Sequence, residues 1–267
     1  MKVFLVVMFF VFDTIIRICK GYRMHFKHFV AKIAACFVPG KYRRAMVRVK
    51  IQYDTKSYVK FVRDYIGDSD AKITTCVGYG CNNFIVLVNS QFAFKFPLKD
   101  DGAERALREL RITTALRKYT KFKIPEMEII KWNNMAVRKY EFFPGVALMD
   151  IPSYVVMENR QYIVQQIAQF IHEVGLADPV EIRDLKPKKT MKPGYLYGWF
   201  HNDIWHNFIL NPDTFDIVGF IDWETVIFGS FKPCLARFDR IWDKFGYRGL
   251  VVDVLAEYSK LYYGDAD

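Results

Sequence analysis

A chain of 267 residues, 52% hydrophobic and 25% charged, holds enough apolar material for one large domain or two small lobes. That excludes a disordered chain and a miniature held together by disulfides. The net charge of +10 is unevenly placed: of 39 Lys/Arg and 29 Asp/Glu, residues 1–50 hold eleven and one, so the remainder carries 28 of each. Five cysteines (Cys19, Cys36, Cys76, Cys81, Cys234) with no CxxC pair encode neither a disulfide framework nor a zinc site, and predict free thiols in a reducing, cytoplasmic compartment. His201 and His206 stand five apart without a cysteine cluster or an HExxH arrangement, which excludes the usual transition-metal motifs.

Val3 to Phe12 is an unbroken apolar run, shorter than the about 20 residues a spanning helix needs. A secretory signal is the rival reading, but no small-residue cleavage site follows. Phe26, Phe29, Val30, Ile33 and Phe37 recur at helical spacing between Lys27, His28 and Lys32, until Pro39 and Gly40 stop the segment. A basic amphipathic helix of this kind suits an anionic membrane surface, so residues 1–50 predict peripheral attachment at the inner membrane face. The same pattern fits an extra helical layer packed on the main domain. Nucleic acid is the unfavoured third option, because no RNP-like or zinc-knuckle pattern accompanies the aromatics.

Asp54 is a plausible N-cap for a helix through Tyr58, Phe61, Val62 and Tyr65 that ends at Gly67. The period then changes to that of strands: Ile73–Val77, Phe84–Val88 and Phe92–Phe96, separated by Gly78-Tyr79-Gly80-Cys81-Asn82-Asn83 and by Asn89-Ser90-Gln91, read as a three-stranded meander. A helix follows over Asp101–Lys118, with Ala106, Leu107, Leu110, Ile112 and Leu116 as its apolar residues, then strands at Ile129–Ile130 and Met135–Arg138. After Pro144-Gly145 the chain predicts a helix from about Arg160 to Gly175 burying Ile163, Ile167, Phe170 and Ile171, then a basic loop with Arg183, Lys186, Lys188, Lys189 and Lys192.

The chemistry concentrates in Phe200-His201-Asn202-Asp203-Ile204-Trp205-His206-Asn207-Phe208-Ile209-Leu210 and in Val218-Gly219-Phe220-Ile221-Asp222-Trp223-Glu224. Asp203 and Asp222 each flank a hydrophobic run able to form a buried strand, and Asn211-Pro212-Asp213 supplies the turn between those strands. Such a hairpin holds two carboxylates and one amide near a common point. Oxygen donors of this kind suit Mg²⁺ with phosphate oxygens, and phosphoryl transfer needs that metal, a cation and a carboxylate base.

In sum these residues resemble the aminoglycoside phosphotransferase and choline kinase group, over roughly 70–240. His201-Asn202-Asp203 with Asn207 resembles its HxD…N catalytic loop, and Ile221-Asp222-Trp223-Glu224 its following acidic string. The segment from Ile167 to His172 is similar to a helix ending in a Leu-His pair, Arg138 to Gly145 to the linker between lobes, and Gly78 to Phe84 to the nucleotide-covering turn. The resemblance implies an α+β, two-lobed protein-kinase-like fold with a small β-rich N-lobe and a mainly helical C-lobe. The domains are then a basic helical extension over 1–69, a nucleotide-binding N-lobe over 70–143, and a catalytic and acceptor-binding C-lobe over 144–267.

It further implies an ATP- and Mg²⁺-dependent kinase acting on a hydroxyl of a small molecule, of the sugar, amino alcohol or lipid-precursor type. Asp203 is then the base and His201 braces its loop; Asp222 and Asn207 are the metal ligands. Lys95, paired with Glu109, meets the phosphates under the turn of Gly78 and Gly80, and backbone groups from Glu141 to Phe143 hold adenine. Glu224 either joins the metal shell or has an exposed or bracing role. One departure stands out: the family separates the Asp and Asn by four residues, whereas three lie between Asp203 and Asn207, so an ungapped alignment puts Phe208 in the amide's place. Either the loop is tighter and still presents Asn207, or a ligand is lost and the protein is a pseudokinase binding module.

Overall fold

Two tight turns shape the first half of the molecule. Asn89 and Ser90 at one hairpin, and Asn133 and Asn134 at another, take left-handed backbone angles (φ 46° to 61°). Asparagine tolerates this region, and paired left-handed residues give the twist that neighbouring strands need. The result is a five-stranded antiparallel sheet of order β1-β2-β3-β5-β4, with β1 Ile73–Val77, β2 Asn83–Val88, β3 Phe92–Pro97, β4 Met127–Trp132 and β5 Met135–Glu141. Lys95 on β3 pairs in register with Arg138 on β5. Strand β5 therefore runs further than its hydrophobic residues predict, and Arg138 to Glu141 belong to it rather than to the linker.

The computed structural model describes residues 55–77, 83–98, 101–188 and 191–264. The basic segment 1–50, with the membrane and RNA readings attached to it, and Gly78, Gly80 and Lys189 lie outside the described residues. Tyr58–Asp267 is one compact unit; the other, Met1–Ser57, is described only at 55–57.

Helix α1, over 55–66, lays aromatics on one face of the sheet: Tyr58 stacks on Phe96 at 4.6 Å between ring centres and Phe61 on Trp132 at 4.7 Å. Helix α2, Gly102–Leu116, covers the other face with Ala106, Glu109, Ile112, Thr113 and Leu116. Leu107, read as part of its apolar face, is 57% exposed. The helix instead turns Glu109 inward, because the two strand cations beneath it need an anion. With both faces covered, β3 is buried along nearly its whole length.

The second half is built on α4, Arg160–Gly175, whose Ile163, Ile167, Phe170 and Ile171 are all buried as the helical period predicts. Phe170 stacks on Phe220 at 3.5 Å. Around it lie α3 (Ser153–Glu158), α5 (Lys232–Lys244) and α6 (Leu250–Tyr263). Two small sheets complete the lobe: β6 Val146–Ala147 with β8 Phe208–Leu210 and β9 Ile217–Phe220, and β7 Tyr197–His201 with β10 Val226–Ser230. No helix among the described residues is long and apolar enough to cross a membrane.

The link between lobes is short and pinned. Phe142 donates its N–H to Gln91 of the small lobe at 2.8 Å, while the Phe143 ring is buried against Gly219 of β9. A Cβ at residue 219 would meet Phe143 Cε2 at 2.4 Å and the Lys123 carbonyl at 2.7 Å. Only glycine leaves room there. Gly219→Ala should lower the unfolding free energy by about 1–3 kcal/mol, read as a reduced urea midpoint at unchanged slope; an unaltered midpoint would show that the ring is not seated on this glycine.

Candidate active site

Two antiparallel ladders bracket the acidic segments. His201 pairs with Val226 in the β7–β10 ladder and Phe208 with Phe220 in the β8–β9 ladder, so 202–207 and 221–225 run between them. The backbone closes this gap with a ring of hydrogen bonds. His201 Nδ1 accepts the Asp203 N–H at 3.3 Å, so its Nε2 carries the proton and donates to the Ile221 carbonyl at 2.8 Å. Ile221 N–H donates to the Asn207 carbonyl at 2.8 Å, and Asn207 Nδ2 donates to the Asp203 carbonyl at 2.9 Å. Asp203, Asn207 and the residue before Asp222 are thereby fixed to one another, with His201 as the brace.

The short spacing is resolved by a 3₁₀ turn at Ile204–His206. The tighter winding brings the buried Asn207 back under the Asp203 carbonyl and leaves its Oδ1 as the ligand-capable atom. Phe208, the residue an ungapped alignment would put there, is fully buried in β8. The Asp203 side chain is 32% exposed; its Oδ1 accepts from Trp205 Nε1 at 2.6 Å, and its Oδ2 lies 3.9 Å from His206 Nε2. Arg237 on α5 grips the Asn202 carbonyl and lies 3.9 Å from Asp203.

Asp222 has left-handed backbone angles (φ 61°, ψ 59°), an unusual state for a non-glycine residue and one held here by its surroundings. Its Oδ1 meets Lys95 Nζ at 2.6 Å. Lys95 is 3% exposed and also has Glu224 at 3.2 Å and Glu109 at 3.7 Å. Arg138, with no exposed surface, donates Nη1 to Glu109 at 2.6 Å and to Glu224, and Nη2 to Asn83 Oδ1 at 2.6 Å. Asn83 in turn donates Nδ2 to Glu224 at 3.0 Å. From α2, Glu109 also accepts the Trp223 N–H at 3.0 Å, and Arg108 donates to the carbonyls of Glu224 and Val226 at 3.1 and 2.6 Å.

These charges set the protonation states. Burial lowers the Lys95 pKa, but Glu109, Asp222 and Glu224 outweigh it and raise it overall. Burial raises the Asp222 and Glu224 carboxyls, and Lys95 and Arg138 more than reverse this, leaving both below their ordinary range. Burial drives His201 down, so it is neutral at pH 7, as a brace must be.

The structure thus gathers Lys95, Glu109 and Asp222 directly, and His201, Asp203 and Asn207 through the backbone ring. It does not bring Glu141 or Phe143 to these groups: Glu141 ends β5 opposite Phe92, and the Phe143 ring belongs to the linker seat. Arg138, Asn83, Arg108, Trp205 and Arg237 are site neighbours that sequence patterning does not flag. The one readable signal is a charged residue in the strand that pairs with the Lys95 strand. Of the basic loop, Arg183 and Lys186 are ion-paired with Asp178 at 3.3 and 2.5 Å.

No family model and no curated protein matches the sequence. Solved structures do match. The chain is similar to a GDP complex of a mutant aminoglycoside 2′-phosphotransferase IIIa, at TM-score 0.62 and 18% identity over 79% of this chain and 82% of that one. It has the fold of the aminoglycoside phosphotransferases. A streptomycin–ATP ternary complex of a second such enzyme gives TM-score 0.56 at 14% identity over 75% and 80% of the two chains. An aminoglycoside phosphotransferase from Streptomyces rimosus gives 0.52 at 15% over 77% and 92%.

His201 yields a pH test of this arrangement. A folded-state pKa below the ordinary value of about 6.5 means the unfolded chain binds a proton the native state refuses. Its contribution to stability is complete above about pH 6.5 and is lost as pH falls toward the depressed value. Urea unfolding followed between about pH 7 and 5.5 should show declining stability, with a shallower decline in His201→Gln. Equal slopes would mean that His201 protonates in the native state.

Proposed function

We propose that the protein transfers the γ-phosphoryl group of a nucleoside triphosphate, ATP in the first instance, to a hydroxyl of a small molecule. The observation that carries this reading is the convergence at 2.6 Å of Lys95, from the sheet of one lobe, with Asp222, from the hairpin of the other. A lysine held charged beside a carboxylate at the meeting of two lobes is what a triphosphate and its cation require.

A divalent cation is implied by the fold. No cluster of three or more His, Cys, Asp or Glu forms a metal site among the described residues, so a cation here rests on few protein ligands. Asp222 and the Asn207 amide oxygen are hard oxygen donors, a set that fits Mg²⁺ completed by phosphate oxygens and water. When bound, Mg²⁺ neutralises developing charge on the phosphates. Lys95 would meet phosphate oxygens, and backbone groups from the end of β5 at Glu141 to Phe143 would hold the base. Asp203 orients the acceptor hydroxyl and takes its proton on Oδ2, while Trp205 fixes Oδ1 and so the plane of the carboxylate. His201, neutral and doubly hydrogen-bonded, moves no proton and keeps the loop in register.

The tight loop supports an active enzyme over a silent binding module, because Asn207 keeps its amide at the site. Structures with this fold are described as complexes with GDP, ATP, kanamycin and streptomycin, which supports a nucleotide donor and a hydroxyl-bearing acceptor. Arg237 beside Asp203 favours an acceptor of the sugar or lipid-precursor type that carries an anionic group over a polycation.

The test is nucleotide binding and turnover. Mg²⁺ with ATP or ADP should raise the melting temperature, and a hydroxyl-metabolite screen should release ADP. Asp203→Ala should retain the thermal shift and lose about 10²-fold or more in turnover, whereas Asp222→Ala should lose both. A chain that neither ATP nor GTP stabilises, or whose turnover survives both substitutions, would remove this assignment.

A further inference from the structure

The sequence resemblance gives Glu109 to Lys95 as partner, yet the geometry divides the work differently. Glu109 Oε2 is 2.6 Å from Arg138 and 3.7 Å from Lys95, and only the first is within hydrogen-bonding range. The other oxygen, Oε1, is taken by the Trp223 N–H. Both oxygens of Glu109 are thus committed without Lys95. Glu224, 3% exposed at its side chain, gathers Arg138, Asn83 and Lys95 on one oxygen, Oε1.

We infer that Arg138 and Glu224 are a pair of positioning residues that hold helix α2, the start of β2 and the Asp222 segment as one body, leaving Lys95 free to exchange Asp222 for phosphate. This rests on the phosphotransfer reading and deepens it. A guanidinium is suited to the task because its planar fork can serve several acceptors at once: here two carboxylates and an amide, drawn from α2, the 222–226 segment and β2. A lysine shared between Glu109 and a phosphate would have to release one to bind the other. With Arg138 occupying Glu109, Lys95 can change partners while the helix stays in place. Asn83 extends the body to the first residue of β2, since it both accepts from Arg138 and donates to Glu224. Glu224 braces through Oε1, which meets two cations and an amide inside the fold, while its Oε2 has Arg105 Nη1 at 3.8 Å.

Steady-state turnover of MgATP by the full chain, with ADP release as readout and melting temperature as the check of folding, tests this with Arg138→Gln, Glu224→Gln and Arg138→Lys. Both glutamine variants should lose tenfold or more in kcat, with the Mg²⁺ concentration for half-maximal rate moving less than twofold. Arg138→Lys, which keeps the charge but not the fork, should recover part of the loss. Glu224→Gln preserves volume and can still bond Arg138 and Asn83, so it carries the test if Arg138→Gln does not fold. A tenfold rise in the Mg²⁺ requirement of Glu224→Gln would make it a metal ligand and overturn the inference. So would folded variants whose kcat stays within twofold of wild type, which would make the pair merely structural. A wild-type chain with no MgATP turnover and no stabilisation by MgADP would instead overturn the phosphotransfer reading, and this inference with it.

Discussion

Lys95 and Arg138 lie side by side on β3 and β5 with almost no contact with water, and that burial is the constraint on which the rest of the site depends. A cation taken out of water must be surrounded by anions, and leaving a buried partner unmatched costs about 3–5 kcal/mol. The sheet supplies no anion of its own at this point. Glu109 comes from the helix above, Asp222 and Glu224 from the opposite lobe. Satisfying the strand charges therefore joins the two lobes, and it also accounts for Glu109 turning inward while Leu107 turns out.

The same constraint explains what could and could not be read from the sequence. Asparagine-rich turns, the period of α4 and the Asn211-Pro212-Asp213 turn are local signals, and the elements they predict form where local chemistry acts alone. Arg138 is different. In a sheet covered on both faces, alternation disappears, so a buried arginine in the run Arg-Lys-Tyr-Glu cannot be told from a solvated linker until the register with Lys95 is known. The loop after Asp203 was ambiguous for a related reason: spacing counts residues, while reach depends on the winding, and a 3₁₀ turn returns Asn207 to the Asp203 carbonyl. For Gly78 and Gly80 the resemblance stands without a structural counterpart among the described residues.

Identity of 14–18% with solved aminoglycoside phosphotransferases means that the layers and their order are shared while most side chains are not. The functional reading consequently leans on this chain's own groups. Their arrangement is internally consistent: a neutral brace at His201, an open carboxylate oxygen at Asp203, and a strained Asp222 presented to the lysine.

The pinned link between lobes fixes the length of chain that joins them. Phe142 is tied to the small lobe through Gln91, and the very next residue is seated in the large lobe beside Gly219. Consecutive residues thus contact different lobes, so one residue inserted or removed here would unseat either the Gln91 contact or the Phe143 ring.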